Sequence, residues 1–185
     1  MNFIPDQPKN AENVPFFEDV TSEQGWQGQT TSKSVETLKS EITQAVSRLG
    51  GTVVSFQKGV FQIVTHSREG FRVHYHIDSS DGSVIPGRMD IAALPCKKPD
   101  LSSRSRPGAE QKHREQSLKM ALYMLRDAID GLWFLQQLSP GYAPLMPFML
   151  ADKEHTISQL WSDGASMRQL LPPGGTDFVD GEVIT

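Results

Sequence analysis

Residues 71–78, FRVHYHID, alternate strictly between apolar and polar side chains. Successive side chains of a β-strand point to opposite faces, so this run predicts a strand with one apolar face and one polar face. The apolar face needs other elements to cover it, whereas the polar face is open to solvent, a ligand or a metal ion. The polar face consists of Arg72, His74, His76 and Asp78.

Further strands are predicted on both sides of this run. TVVSFQ (52–57) and VFQIVTH (60–66) are joined by KG (58–59), which predicts a tight hairpin. SREG (67–70) predicts the next turn, and RMDIAAL (88–94) predicts the last strand. Sequential strands joined by short turns favour an antiparallel meander, here of three to four strands.

Apolar residues recur at helical spacing before and after the predicted strands. They form one stripe from Ser34 to Leu49 and a much longer one from about Glu110 to Leu138. The predicted fold is therefore α+β, with the antiparallel sheet packed against an N-terminal helix and a long C-terminal helix. The predicted core contains Leu38, Ile42, Val46, Val54, Phe56, Val73, Tyr75, Ile77, Ile91, Leu122, Leu125, Ile129 and Trp133.

The 185 residues carry their charge unevenly. Residues 1–31 hold one basic and five acidic side chains, residues 32–151 hold fifteen and eleven, and residues 152–185 hold two and six. The sums are −4, +4 and −4. Because both ends also lack sustained periodicity, we predict a disordered acidic arm (1–31), a single α+β domain (32–162) and an acidic, Pro/Gly-rich disordered tail (163–185).

Three apolar segments are candidate contacts for a protein partner. VPFFEDV (14–20) either becomes ordered on a partner or packs back on its own domain. YAPLMPFMLA (142–151) contains two prolines that exclude a regular helix, so we expect an irregular segment over the core or at an oligomer surface. TDFVDGEVIT (176–185) combines acids with apolar residues, which is typical of a docking peptide. The oligomeric state is left open.

Composition also indicates the cellular compartment in which the protein is expected. Cys96 is the single cysteine, so the chain has no internal disulfide and suits a reducing compartment. No run approaches the roughly 20 apolar residues that a membrane helix needs, and residues 1–10 lack the pattern of a signal peptide. We expect a cytoplasmic protein without membrane contact.

The strongest chemical feature is the basic segment, which we define as residues 97–119. It combines seven basic with three acidic side chains, and a serine-rich loop that leads into a helix start can follow a phosphate backbone. A solubilising loop that binds nothing is the alternative. The candidate nucleic-acid-binding residues are Lys97, Lys98, Arg104, Arg106, Lys112, Arg114 and Lys119, with Arg72 extending the surface from the polar strand face.

The order helix, three strands, helix resembles that of double-stranded RNA-binding domains. Residues 111–125, QKHREQSLKMALYML, resemble the basic start of the second helix in that family. The chain departs from the family by a fourth predicted strand, a long extra loop and the lack of a match to the first-helix contacts. The resemblance implies only that a helix and a sheet can place a basic helix start on a phosphate backbone.

A metal site is one interpretation of the polar strand face. His74 and His76 are two residues apart on a strand, a spacing that lets both imidazoles reach one ion. A zinc site needs a third protein ligand, for which Asp78 and Asp90 are candidates. The sequence does not fix the strand register, so it leaves open whether Asp90 faces the histidines. An ordinary solvated face and a polar binding face are the other interpretations.

No motif identifies a reaction, and we predict no catalytic residue and no cofactor. Cys96 precedes Lys97 and Lys98, whose charges would lower a thiol pKa and make a weak candidate nucleophile. GGT (50–52) follows a predicted helix and lacks the Gly-Lys-Ser/Thr ending of a phosphate-binding loop. Nucleotide hydrolysis is therefore not expected.

These observations favour a non-enzymatic accessory module. In this hypothesis the basic segment contacts nucleic acid, while the acidic ends dock a partner or compete with that contact. The first alternative is a protein-interaction or oligomeric assembly module without a nucleic-acid role, and the second is a metal-dependent enzyme that uses His74 and His76.

Overall fold

The computed structural model describes residues 14–63, 66–79, 81–97 and 108–162. Three short 3₁₀ turns, at Phe17–Asp19, Ser22–Gln24 and Met146–Phe148, lie outside the main elements. The main elements in chain order are α1 (Val35–Arg48), β1 (Gly51–Ile63), β2 (His66–Asp78), β3 (Val84–Ala92), α2 (Ala109–Leu138) and α3 (Ile157–Ser162).

The three strands form one antiparallel sheet in the order β1-β2-β3. Helix α1 precedes the sheet and the long helix α2 follows it, which confirms the α+β meander. The side chain of Ser34 caps α1 by accepting a hydrogen bond from the Thr37 N–H. Gly50, with a φ of +84°, then allows the sharp turn from α1 into β1.

The predicted hairpin at residues 58–59 is wrong, and so is the predicted turn at 67–70. β1 runs unbroken through the first of these positions and β2 through the second, and the two strands stay paired from Gly59↔Gly70 to Ile63↔His66. Two facing glycines are compatible with extended backbone, and Lys-Gly is not a turn signal strong enough to end a strand. The sheet therefore has three long strands, and residues 64–65, between β1 and β2, lie outside the described residues.

β3 starts four residues before its prediction and includes Pro86. Proline is tolerated because β3 lies at the edge of the sheet, where a missing N–H disrupts least. The carbonyl of Pro86 accepts a hydrogen bond from the Leu150 N–H at 2.9 Å, and Met149 bridges to Gly87. The segment that follows α2 thus covers part of the outer edge of β3.

The core lies between the apolar face of the sheet and helices α1 and α2. Seven of the predicted core residues are fully buried there, and five more are partly buried against them. Val54 is the exception, since 64% of its surface is exposed. The pairing of β1 shifts between Val53 and Ser55, and this bulge leaves Val54 outside the alternation.

Residues 14–31 pack on the domain. Phe17 and Val20 are buried against Met120 of α2, and the Phe17 N–H donates to the Pro95 carbonyl at 2.8 Å. Of the two alternatives for segment 14–20, the structure shows packing on its own domain. The predicted domain boundaries stay a prediction, and the tail at 163–185 lies outside the described residues.

The segment after α2 enters the core at Leu145, which is 2% exposed. Its carbonyl accepts a hydrogen bond from the hydroxyl of Tyr75 at 3.2 Å. None of the helices in the described part of the chain is long and apolar enough to cross a membrane.

The contact between Gly87 and Tyr75 gives a stability test. A Cβ on Gly87 would lie 2.2 Å from Cζ of the buried Tyr75 ring, so we expect Gly87→Ala to lower the free energy of unfolding by about 1–3 kcal/mol. Gly59→Ala is the matched control, because a Cβ there meets nothing within 4 Å. Urea unfolding of both variants checks this, and equal stabilities would contradict it.

Candidate functional site

The basic segment is anchored at both ends. Lys97 closes the described stretch that follows β3, while Lys112, Arg114 and Lys119 lie on the first turns of α2. The remaining candidates, Lys98, Arg104 and Arg106, lie outside the described residues.

Lys97 and the first turns of α2 meet at one cavity of about 370 Å³. Lys97 lines it from one side and Arg114 from the other. Arg68 of β2 also lines it, and the Arg68 Nε is buried with no hydrogen-bond acceptor among the described residues. Sequence reasoning misses Arg68 because it falls in a predicted turn. Burial lowers the pKa of Arg68, whose guanidinium still stays charged at neutral pH.

Acidic residues of the N-terminal segment lie against this basic surface. The Lys97 ammonium pairs with Asp19, and the Lys97 N–H donates to Glu18 Oε2 at 3.0 Å. Nδ1 of His113 lies 3.2 Å from Glu18 Oε1. Arg114 pairs with Glu110 one turn earlier on α2. Lys97 and Arg114, two of the four described Lys and Arg residues of the basic segment, are therefore already paired with carboxylates.

Cys96 lines the same cavity but lacks the properties of a nucleophile. Burial and the charge of Glu18 raise its pKa to about 11, so the thiol is protonated at neutral pH. Lys97, which the sequence predicts to favour the thiolate, instead directs its ammonium to Asp19.

The polar face of the sheet places Asp90 opposite Arg72. Arg72 donates to both carboxylate oxygens of Asp90, with Nε–Oδ1 at 2.8 Å and Nη2–Oδ2 at 3.0 Å. This fork raises the pKa of Arg72. The sequence left open whether Asp90 faces His74 and His76. The register pairs Asp90 with Arg72 instead.

The metal candidates do not converge. His74 faces Arg88 and His76 faces Pro86 across the strands, while His76 Nε2 lies 3.7 Å from Asp78 Oδ1. Within the described ranges, no group of three or more His, Cys, Asp or Glu side chains is placed to share a metal ion.

A second cavity, of about 570 Å³, lies over the polar face. Arg88, only 8% exposed, connects the sheet to the α3 region: its Nη1 donates to the Glu154 carbonyl and its Nη2 to Gln159 Oε1, both at 2.6 Å. The polar face and the α3 region thus form the walls of one cleft. It is lined by Arg72, His74, Arg88, Lys153, Glu154, His155 and Gln159.

Exposed apolar side chains collect at the C-terminal end of α2 and in the segment beyond it. Trp133 and Phe134 form an edge-to-face pair with ring centroids 5.0 Å apart, and Phe134 is 60% exposed. The exposed set at this end of α2, which we call the apolar patch, is Phe134, Leu135, Leu138 and Tyr142.

Comparison with known proteins identifies no relative: no protein-family model, curated protein or solved structure matches the chain.

Thiol alkylation measures the Cys96 environment. Because its pKa is raised to about 11, the folded protein should react with iodoacetamide at pH 7.5 at least about a hundredfold more slowly than the urea-unfolded chain, whose thiol pKa is about 8.5. The rate should rise about tenfold per pH unit from pH 7.5 to 10, following the thiolate fraction. Equal folded and unfolded rates at pH 7.5 would contradict the protonated thiol.

Proposed function

We propose that this protein is a non-enzymatic, cytoplasmic accessory module that contacts nucleic acid through the basic segment. The observation that carries the proposal is the convergence of Lys97, Arg114 and Arg68 on one cavity, where residues 98–107 leave and rejoin the described chain. Lys98, Arg104 and Arg106 belong to residues 98–107, which connect Lys97 to the start of α2 in the sequence and lie outside the described residues.

The geometry favours a phosphate backbone over a small ligand. Lys112 and Lys119 lie on α2, away from the cavity lining, so the charges extend along the helix as well as around the cavity. Such a spread of Lys and Arg gives affinity that is independent of sequence and falls steeply with salt. The serine hydroxyls of Ser102, Ser103 and Ser105 in the sequence of the basic segment add neutral donors for phosphate oxygens.

The N-terminal segment supplies the competing charge. Glu18 and Asp19 occupy donors of Lys97, and Glu18 also lies beside His113, so two carboxylates sit where phosphates would bind. In this proposal nucleic acid must displace them, which makes segment 14–20 an autoinhibitory contact. The acidic sequence at 176–185 is proposed to act similarly or to dock a partner.

A second candidate function is a protein-interaction or assembly module. The apolar patch favours it, because apolar side chains concentrated at one end of a helix are typical of protein contact surfaces. This function requires no nucleic acid, so the two proposals separate in a binding assay.

The binding assay is fluorescence anisotropy of labelled single- and double-stranded DNA and RNA at several salt concentrations. A variant with Arg104, Arg106, Lys112 and Arg114 replaced by Ala should bind at least about tenfold more weakly, and its salt slope should fall by about one unit for each phosphate neutralisation that the substitutions remove. Lys39→Ala combined with Lys58→Ala is the control. Both lysines lie outside the basic segment, and their side chains are 22% and 58% exposed.

Two outcomes of that assay separate the candidate functions. Wild-type binding that the four-residue variant loses and the control retains supports the basic segment as the interface. No binding at low salt would remove the nucleic-acid proposal and leave the apolar patch as the surface to test, by measuring the oligomeric state.

The competing contact has its own test. Glu18→Gln combined with Asp19→Asn removes two negative charges next to Lys97 and should tighten nucleic-acid binding by about two- to tenfold, the range expected for surface ion pairs. Glu23→Gln changes a charge in the adjoining 3₁₀ turn, away from these ion pairs, and should leave the affinity unchanged. Equal affinities for wild type and the double variant would argue against autoinhibition.

A further inference from the structure

The second cavity has the donor chemistry of an anion site. Its walls come from three places in the chain: Arg72 and His74 on β2, Arg88 on β3, and Lys153 and His155 in the segment before α3. The sequence separates the strand residues from this segment by more than sixty positions, so only the fold brings them together. Positively charged or donor-rich side chains therefore surround the cavity from more than one direction.

Arg88 is the buried residue of this site that hydrogen bonds hold in a fixed position. It is 8% exposed, and its two hydrogen bonds to the α3 region use only two of the five N–H groups of a guanidinium. Its Nε is buried beside Asp90, whose Oδ2 lies 3.3 Å away, so the unused donors are one N–H each on Nη1 and Nη2. A buried, fixed guanidinium with unused donors at the wall of a cavity is prepared to accept an anion at little entropic cost.

The acidic residues near the second cavity reduce its net positive charge but leave hydrogen-bond donors available. Asp90 is held by Arg72, and Asp152 accepts hydrogen bonds from the N–H groups of Glu154 and His155, which contributes to lowering its pKa to about 2. Glu154 is the one carboxylate that lines the cavity, and among the described residues its side chain forms no ion pair with a cavity cation. Lys153 lines the cavity without an ion pair to any described residue.

We propose that this cavity binds a phosphate group. A carboxylate offers two oxygens in one plane, whereas a phosphate offers several oxygens that can accept at once from guanidinium, imidazole and ammonium donors on separate walls. A cavity of about 570 Å³ is also larger than a phosphate alone, so the group fits as part of a larger molecule. The source is either a small phosphorylated molecule or the terminal phosphate of a nucleic-acid strand.

The inference stands apart from the proposed function, because inorganic phosphate tests it without any nucleic acid. The experiment is a ¹H–¹⁵N NMR titration of the full chain with inorganic phosphate at constant ionic strength. Saturable shifts are expected at the backbone amides of residues 72–74, 88 and 153–159, with a dissociation constant of about 1 mM, the range for one anion held by a few charged donors.

Two variants make the titration decisive. His74→Ala combined with Lys153→Ala removes two cavity donors and should weaken phosphate binding at least about tenfold, while Lys58→Ala, which alters a lysine paired with Glu69 outside this cavity, should bind as the wild type does. Arg88 is left intact because its loss would also release Glu154 and Gln159 from the sheet. No saturable shift, or equal binding by the double variant, overturns the proposal.

The source of the phosphate is decided by two further ligands. A short oligonucleotide with a 5′-phosphate, compared with the same oligonucleotide without it, shows the strand-end source if only the phosphorylated form shifts the cavity amides. Glycerol phosphate that shifts those amides while neither oligonucleotide does so identifies a small phosphorylated molecule. If the basic segment fails to bind nucleic acid but inorganic phosphate still shifts the cavity amides, the proposed function fails and this site stands.

Discussion

The packing of Tyr75 holds β2, β3 and the segment after α2 together. Its ring is 2% exposed and leaves Gly87 no room for a side chain, while its hydroxyl reaches the Leu145 carbonyl. Burial raises the pKa of Tyr75 well above its ordinary value, so the hydroxyl stays a donor. Because Leu145 is held there, Met149 can bridge to Gly87 and the chain can continue over the polar face to α3. The second cavity thus depends on this buried contact as well as on the hydrogen bonds of Arg88 to Glu154 and Gln159.

Much of the fold follows from periodicity. The alternation in 71–78 and the two helical stripes predict which faces are buried, because burial of one face per element is what the core requires. The wrong predictions have local causes that the hydrophobic periodicity of the sequence does not reveal. The hairpin predicted at 58–59 is wrong because Gly59 faces Gly70 in extended backbone, and Val54 is exposed because one bulged residue breaks the alternation.

The candidate sites are less predictable, because they depend on contacts between distant residues. Lys97 and Arg114 are visible as a basic sequence, but only the fold brings them to one cavity with Arg68. The pairing of Lys97 with Glu18 and Asp19 requires segment 14–20 to pack on α2. No sequence pattern predicts the second cavity. Arg88 is visible only as a strand residue, and nothing local to it indicates that residues 153–159 lie over the sheet.

One strand links the two sites. Strand β2 contributes Arg68 to the first cavity and Arg72 and His74 to the second. The carboxylates distinguish the sites: Asp90 fixes Arg72 on the sheet itself, whereas Glu18 and Asp19 pair with Lys97 of the first cavity from a separate segment. An anion at the first cavity must displace a segment, while an anion at the second meets donors that are already in place.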